Sequence, residues 1–241
     1  MTILKLHSPA QVRFILDSGE SALGDLLRVV FADLLLKQIL NIHEKEKTYN
    51  EYRRDVNASY ITLGPKFESY LPMVSVQPFL IPFNGNKNLK IKFKYYVRKV
   101  FNEAYVNSDY KTNFINQQDI KPYFKQGYFQ KLFNKHPLTD QGIRIQSEIQ
   151  AHLNHLENTI NSNLKIHSKM MPTLLEIGGH FFLLNQLDIN WIKESILKQN
   201  NAAEIIRIER IENIIDFVIA FSLLSSEFGH SSKNFTGYFT C

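Results

Sequence analysis

Leu23, Leu27, Val30, Phe31, Leu34 and Leu35 recur at spacings of three and four residues, and this stretch constrains the fold more than any other in the chain. The pattern predicts a helix over residues 21–40 with a broad apolar face, central to an N-terminal core. Asp25 and Asp33 are expected to lie off that face. Upstream, Ser8-Pro9 opens a shorter helix through Leu16. Serine can cap it, and proline suits the first helical position, where its missing N–H has no partner to lose. Asp17-Ser18-Gly19 ends it.

Downstream the period changes. Residues 39–43 read as a strand. A polar tract over 44–59, with Lys45, Lys47, Arg53 and Arg54, separates them from a second β-like run at 60–63, which stops at Gly64-Pro65. Residues 67–83 are apolar and broken by Pro72, Pro78 and Pro82, which suits a short helix and an irregular connector. Asn84-Gly85-Asn86 marks a turn.

Residues 89–106 carry two patterns. Leu89, Ile91, Phe93 and Tyr95 alternate with lysines, as in a strand. Leu89, Phe93, Tyr96, Val97, Val100, Phe101 and Ala104 form a helical stripe over a longer window. Length favours a helix, capped by Asn86 or Asn88. A short helix over 113–125 follows, limited by Pro122. Residues 127–133 read as a strand, 134–137 as a tip and Leu138 as the return. Thr139 then caps a helix to about residue 160 through Ile143, Ile145, Ile149, Leu153 and Leu156. Helices are expected at 174–187, 190–197 and 202–221, the first interrupted by Gly178-Gly179, with a loosely held tail over 225–241.

The expected fold is mainly α with short β-hairpins. Helix, strand, polar excursion and returning strand is the element order of a winged helix, and it occurs twice. The expected organisation is a winged-helix-like module with a long wing at 1–83, a basic winged-helix-like module at 84–165, and a helical C-terminal region at 166–241. Two runs carry a resemblance to winged-helix proteins: ALGDLLRVVFADLLLKQILNI at 22–42 and YFKQGYFQKLFNKHPLTDQGIRI at 123–145. The second is similar to the helix, glycine, strand, wing and Leu-Thr-x-x-Gly ending of many bacterial winged-helix domains. The first also resembles the N-terminal part of Golgi phosphoprotein 3-like proteins, helical folds that bind phosphoinositide headgroups. The Trp and Arg residues of that lipid site have no positional match, since Trp191 lies in another region, so no site is carried over.

Composition narrows the function classes. The single cysteine, Cys241, makes no internal disulfide and no cysteine-based zinc site, which fits a reducing, cytoplasmic setting. No signal-peptide pattern opens the chain. The apolar runs at 73–83 and 214–224 are far shorter than the ~20 residues a spanning helix needs, so a transmembrane protein is not expected. P-loop, dinucleotide-binding, zinc-protease and nucleophile-elbow signatures are absent.

Charge is concentrated. Residues 87–135 hold eleven Lys and Arg against three Asp and Glu, a local balance of +8, so the rest of the chain carries −3 of the net +5. Such an excess favours an anionic partner. The candidate contacts are Lys90, Lys92, Lys94, Arg98, Lys99, Lys121, Lys125, Lys131 and Lys135. Twelve aromatics share the window, and these are assigned to the core. A DNA-reading helix would fall near 116–125, with Gln117, Gln118, Lys121 and Lys125 as contacts. It is short, holds Pro122 and lacks arginine, the commonest base-reading residue.

Glu148, His152 and His155 recur at i, i+4 and i+7 of one helix, a spacing that can present metal ligands on one face. The competing reading is a solvated face with a Glu148–His152 pair. The leading expectation is thus a non-catalytic binding or scaffold protein, with no cofactor, that offers a basic surface to anionic lipid headgroups or an acidic protein. A DNA-binding winged-helix regulator is the first alternative. A metal-dependent enzyme using the Glu148, His152 and His155 face is the second.

Overall fold

A computed structural model describes residues 2–43, 59–106, 110–117, 119–125, 136–162, 177–184 and 202–235. The chain divides into two compact units assembled from separated segments. The first takes Met1–Ala22 and Ile115–Ile215, the second Leu23–Phe114 and Asp216–Cys241. The element order in the sequence instead predicts consecutive boundaries after residues 83 and 165. Described elements are mainly helical, with one small antiparallel sheet.

In the first unit, α1 (Thr2–Leu6) precedes α2 (Pro9–Leu16). Ser8 caps α2 reciprocally: its Oγ accepts from the Gln11 N–H, and Gln11 Oε1 accepts from the Ser8 N–H. The helix ends in a left-handed residue, Ser18 at φ 53°, with Gly19 N–H donating to the Phe14 carbonyl and Ser18 N–H to the Ile15 carbonyl. Gly19, at φ 81°, leaves no room for a side chain, since a Cβ would lie 2.5 Å from the His136 carbonyl oxygen.

The second anchor of this unit is a long helix, Asp140–Ser162. Thr139 Oγ1 caps it by accepting from the Gly142 N–H at 3.1 Å, as the Leu-Thr-x-x-Gly spacing implies. Ile149, Leu153, Leu156 and Ile160 are buried along it, and Gln146 Nε2 donates to the Ile15 and Leu16 carbonyls. Ile143 is 51% exposed. At about 100° per residue it sits roughly 120° away from the buried stripe, so it cannot share it. Before this helix, Phe124 and Leu138 form an antiparallel bridge around residues 126–135, which lie outside the described residues. The expected strand at 127–133 falls in that gap. The expected short helix at 113–125 is replaced by a single 3-10 turn, Lys121–Tyr123, with Pro122 at its start, and by α6 (Tyr110–Ile115), which lies earlier than expected and falls in the second unit up to Phe114.

In the second unit, α3 runs Leu23–Leu36. Its end four residues short of expectation has a local cause. Gln38 adopts φ 61°, Ile39 N–H donates to the Leu34 carbonyl and Gln38 N–H to the Leu35 carbonyl. The chain is thereby turned into β1 (Leu40–His43), which pairs antiparallel with β2 (Tyr60–Leu63), Leu40 opposite Leu63 and His43 opposite Tyr60. The wing expected at 44–59 lies almost wholly outside the described residues.

Residues 67–83 form a succession of short turns, the 3-10 pieces Phe67–Ser69, Val74–Val76 and Ile81–Phe83 around α4 (Gln77–Leu80). Then comes β3 (Ile91–Lys92), which adds to β2 through Tyr60–Lys92 and Ile61–Ile91, and α5 (Phe93–Val106) follows without a linker. Both patterns in 89–106 are therefore used, one after the other. The helix starts at Phe93 rather than Leu89. Neither Asn86 nor Asn88 caps it, and Asn86 Oδ1 instead accepts from the Asn88 N–H in the preceding turn.

Phe31 of α3 centres an aromatic core. Its ring stacks on Phe221 at 4.8 Å and lies near Phe79, Phe93 and Tyr96. Asp33 was expected off the apolar face, but it is buried. The Lys37 ammonium, 2.6 Å from Asp33 Oδ2 one helical turn on, supplies the countercharge that makes this tolerable. The last helix runs Ala202–Phe235, beyond the expected stop at 221. Ser225, expected in a loose tail, is buried, and a Cβ on Gly24 would lie 3.2 Å from its hydroxyl.

Candidate anion-binding face

Helix α5 separates its side chains sharply. Phe93, Tyr96, Val97, Val100, Phe101 and Ala104 are buried, while Lys94, Tyr95, Arg98, Lys99, Asn102 and Tyr105 are exposed. At about 100° per residue the exposed set occupies one continuous arc of about 140°, and the buried set a second arc of equal width. Two buried bonds fix this phase. The Tyr96 hydroxyl donates to the Phe79 carbonyl oxygen at 2.9 Å, and the Phe93 N–H donates to the Ser59 carbonyl oxygen at 2.8 Å. Burial pushes the Tyr96 phenol well above its ordinary range, so it stays a donor.

The exposed arc holds three cations, two tyrosines and an asparagine, with no acid. Lys90 and Lys92, exposed just ahead of the helix, extend its positive end. None of Lys90, Lys92, Lys94, Arg98 and Lys99 makes an ion pair among the described residues. The placement also opposes the helix dipole. Lys94 stands in the first turn of α5, which has no acidic residue, and the last turn has no basic one, so the charges do not complement the helix ends. The helix dipole does not account for a cation at Lys94.

Of the other basic candidates, Lys121 and Lys125 are exposed but belong to the first unit, and Lys131 and Lys135 lie outside the described residues. The aromatics of the window divide. Phe93, Tyr96, Phe101, Tyr110, Phe114 and Phe124 are core, as expected, but Tyr95 is 62% exposed and Tyr105 46%. Tyr105 lies over Phe101, centroids 6.0 Å apart and rings 15° from parallel, so its ring is held on the surface. The phase of α5 is the signal that finds these two, and it is fixed only once the start at Phe93 is known.

Glu148, His152 and His155 follow one another along Asp140–Ser162, the first and last exposed and His152 half-buried. Among the described residues no group of three or more His, Cys, Asp or Glu could hold a metal ion. Gly178 and Gly179 open a 3-10 helix, and His180 is buried with Nδ1 3.0 Å from the Ile177 carbonyl and Nε2 3.1 Å from the His7 carbonyl.

The first unit has a polar cluster that sequence reasoning missed. Gln11 Nε2 donates at 2.7 Å to both Gln117 Oε1 and Asp119 Oδ2. His7, edge-on to Tyr123, is buried, and neither its Nδ1 nor Gln117 Nε2 has a partner among the described residues. Burial holds His7 below the usual histidine range, partly offset by the Asp119 carboxylate. Burial raises Tyr123, and the Asp119 and Glu148 carboxylates add to the rise. Its members are dispersed over residues 7–123, so no local motif marks it.

No helix among the described residues is long and apolar enough to cross a membrane. No family model, curated protein or solved structure matches this chain.

Proposed function

We propose that this chain is a non-catalytic binding protein whose basic face on α5 meets an anionic partner. One observation carries the reading: five exposed cations, Lys90, Lys92, Lys94, Arg98 and Lys99, crowd one end and one face of α5 with no counter-ion among the described residues. Like charges held together cost free energy unless a partner neutralises them. The winged-helix-like architecture remains part of the proposal. It is supported by the passage from α3 into the antiparallel hairpin, and by the Phe124–Leu138 bridge that leads into Thr139 and its helix.

Binding to heparin, phosphatidylserine vesicles, polyglutamate and nucleic acid at low salt tests this reading. Retention on at least one, weakened by salt and by reversal of the α5 cations, is the expected result. A folded protein that binds none of them at low salt overturns it.

A further inference from the structure

Resting on that reading, we infer that the α5 face takes single-stranded nucleic acid, with Lys94, Arg98 and Lys99 on the phosphates and Tyr95 and Tyr105 as platforms for unstacked bases.

The two tyrosines are the deciding feature. Attraction of anions calls for cations and hydrogen-bond donors rather than aromatic rings, and exposing the rings forgoes the burial that Phe93, Tyr96 and Phe101 obtain on the opposite side of the same helix. Tyr95 stands out from the surface, and Tyr105 is braced from below by Phe101 at 6.0 Å. Their positions, ten residues apart, are separated by about 15 Å along the helix axis. Arg98, Lys99 and Asn102 lie between them within the same arc. Cations flanked by rings along one helix face suit a single strand, because its bases are free to stack on protein and its phosphates lie alongside. In a duplex the bases are already stacked on each other, and protruding rings have nothing to receive them. An acidic peptide offers carboxylates but no regular series of aromatic bases to stack. For insertion at a lipid surface the exposed arc lacks the aliphatic and Trp side chains that bury between headgroups.

The test is fluorescence anisotropy of a labelled mixed-sequence single strand of about twenty nucleotides against the full chain, with the same sequence as duplex and with phosphatidylserine vesicles and heparin in parallel. Single-strand binding tighter than duplex binding is expected. Tyr95→Ala and Tyr105→Ala should each weaken it roughly 5- to 150-fold, the range that loss of one base stack spans. Tyr95→Phe and Tyr105→Phe keep the ring and should bind as the parent chain does. Both positions are exposed, and circular dichroism checks that each variant is folded. Equal affinity for duplex, or alanine variants that bind as tightly as the phenylalanine ones, overturns the inference while leaving an anionic partner in place. Binding to vesicles or heparin but not to the single strand does the same. Binding to none of the four overturns the inference, and absence of retention on polyglutamate as well overturns both.

Discussion

The Tyr96 hydroxyl donates a 2.9 Å hydrogen bond to the Phe79 carbonyl oxygen, and that bond helps set which face of α5 meets water. Tyr96 is fully buried, so neither atom has solvent as an alternative partner. Tyr96→Phe should therefore destabilise the chain by about 1–3 kcal/mol, the cost of an unsatisfied buried carbonyl together with the lost bond. Urea unfolding followed by circular dichroism measures it. A variant as stable as the parent would mean that packing alone sets the phase of α5.

Gly142 should respond to substitution with the opposite sign from an ordinary helical glycine. Replacing glycine by alanine inside a helix usually stabilises by about 0.5–1 kcal/mol. At Gly142 a Cβ would lie 2.2 Å from the Tyr123 carbonyl oxygen and 3.0 Å from Leu138. The obstacle is backbone, and the Thr139 N–H also donates to that carbonyl, so the start of the helix has to move. Gly142→Ala should lower stability by about 1–3 kcal/mol or more. Thr139→Ala, which removes only the cap, should cost about 1 kcal/mol. Thermal melts of the two variants rank them, and a Gly142→Ala chain more stable than the parent would contradict this packing.

His7 makes stability depend on pH in a defined window. Burial holds its folded-state pKa below the ordinary 6.5, so the folded chain refuses a proton that the unfolded chain accepts. Above about pH 6.5 both states are neutral at this position and nothing is lost. As pH falls from there towards the folded pKa, stability should decline by at most about 1.4 kcal/mol per pH unit from this group, then level off. His7→Asn removes the titration. Its unfolding free energy should fall less steeply than the parent's over the same window, and parallel slopes would show that His7 does not titrate differently in the two states.

The parts of the fold that were legible in the sequence are those written in local chemistry. Ser8 before Pro9, Thr139 before Gly142 and the stripe from Leu23 to Leu35 each specify their element through neighbours a few residues away. The start of α5 was not legible, because Ile91 and Lys92 become a strand only by pairing with Ile61 and Tyr60, thirty residues upstream. Burial of Asp33 was misread for the same kind of reason, since a carboxylate can enter a core once Lys37 neutralises it. At the candidate face the cations could be read directly, as charge does not depend on phase. Tyr95 and Tyr105 could not, because one helical step separates exposed Tyr95 from buried Tyr96.

The most direct test of the anionic-partner reading is salt elution from immobilised heparin by three folded proteins: the parent chain, Lys94→Glu/Arg98→Glu/Lys99→Glu, and Lys66→Glu/Arg144→Glu/Arg210→Glu. Both triple variants change net charge equally, and all six positions are exposed. The α5 face predicts that the parent and the second variant elute at similar high salt and that the α5 variant elutes far earlier. Equal losses for the two variants would reduce the attraction to overall charge and contradict a dedicated face on α5.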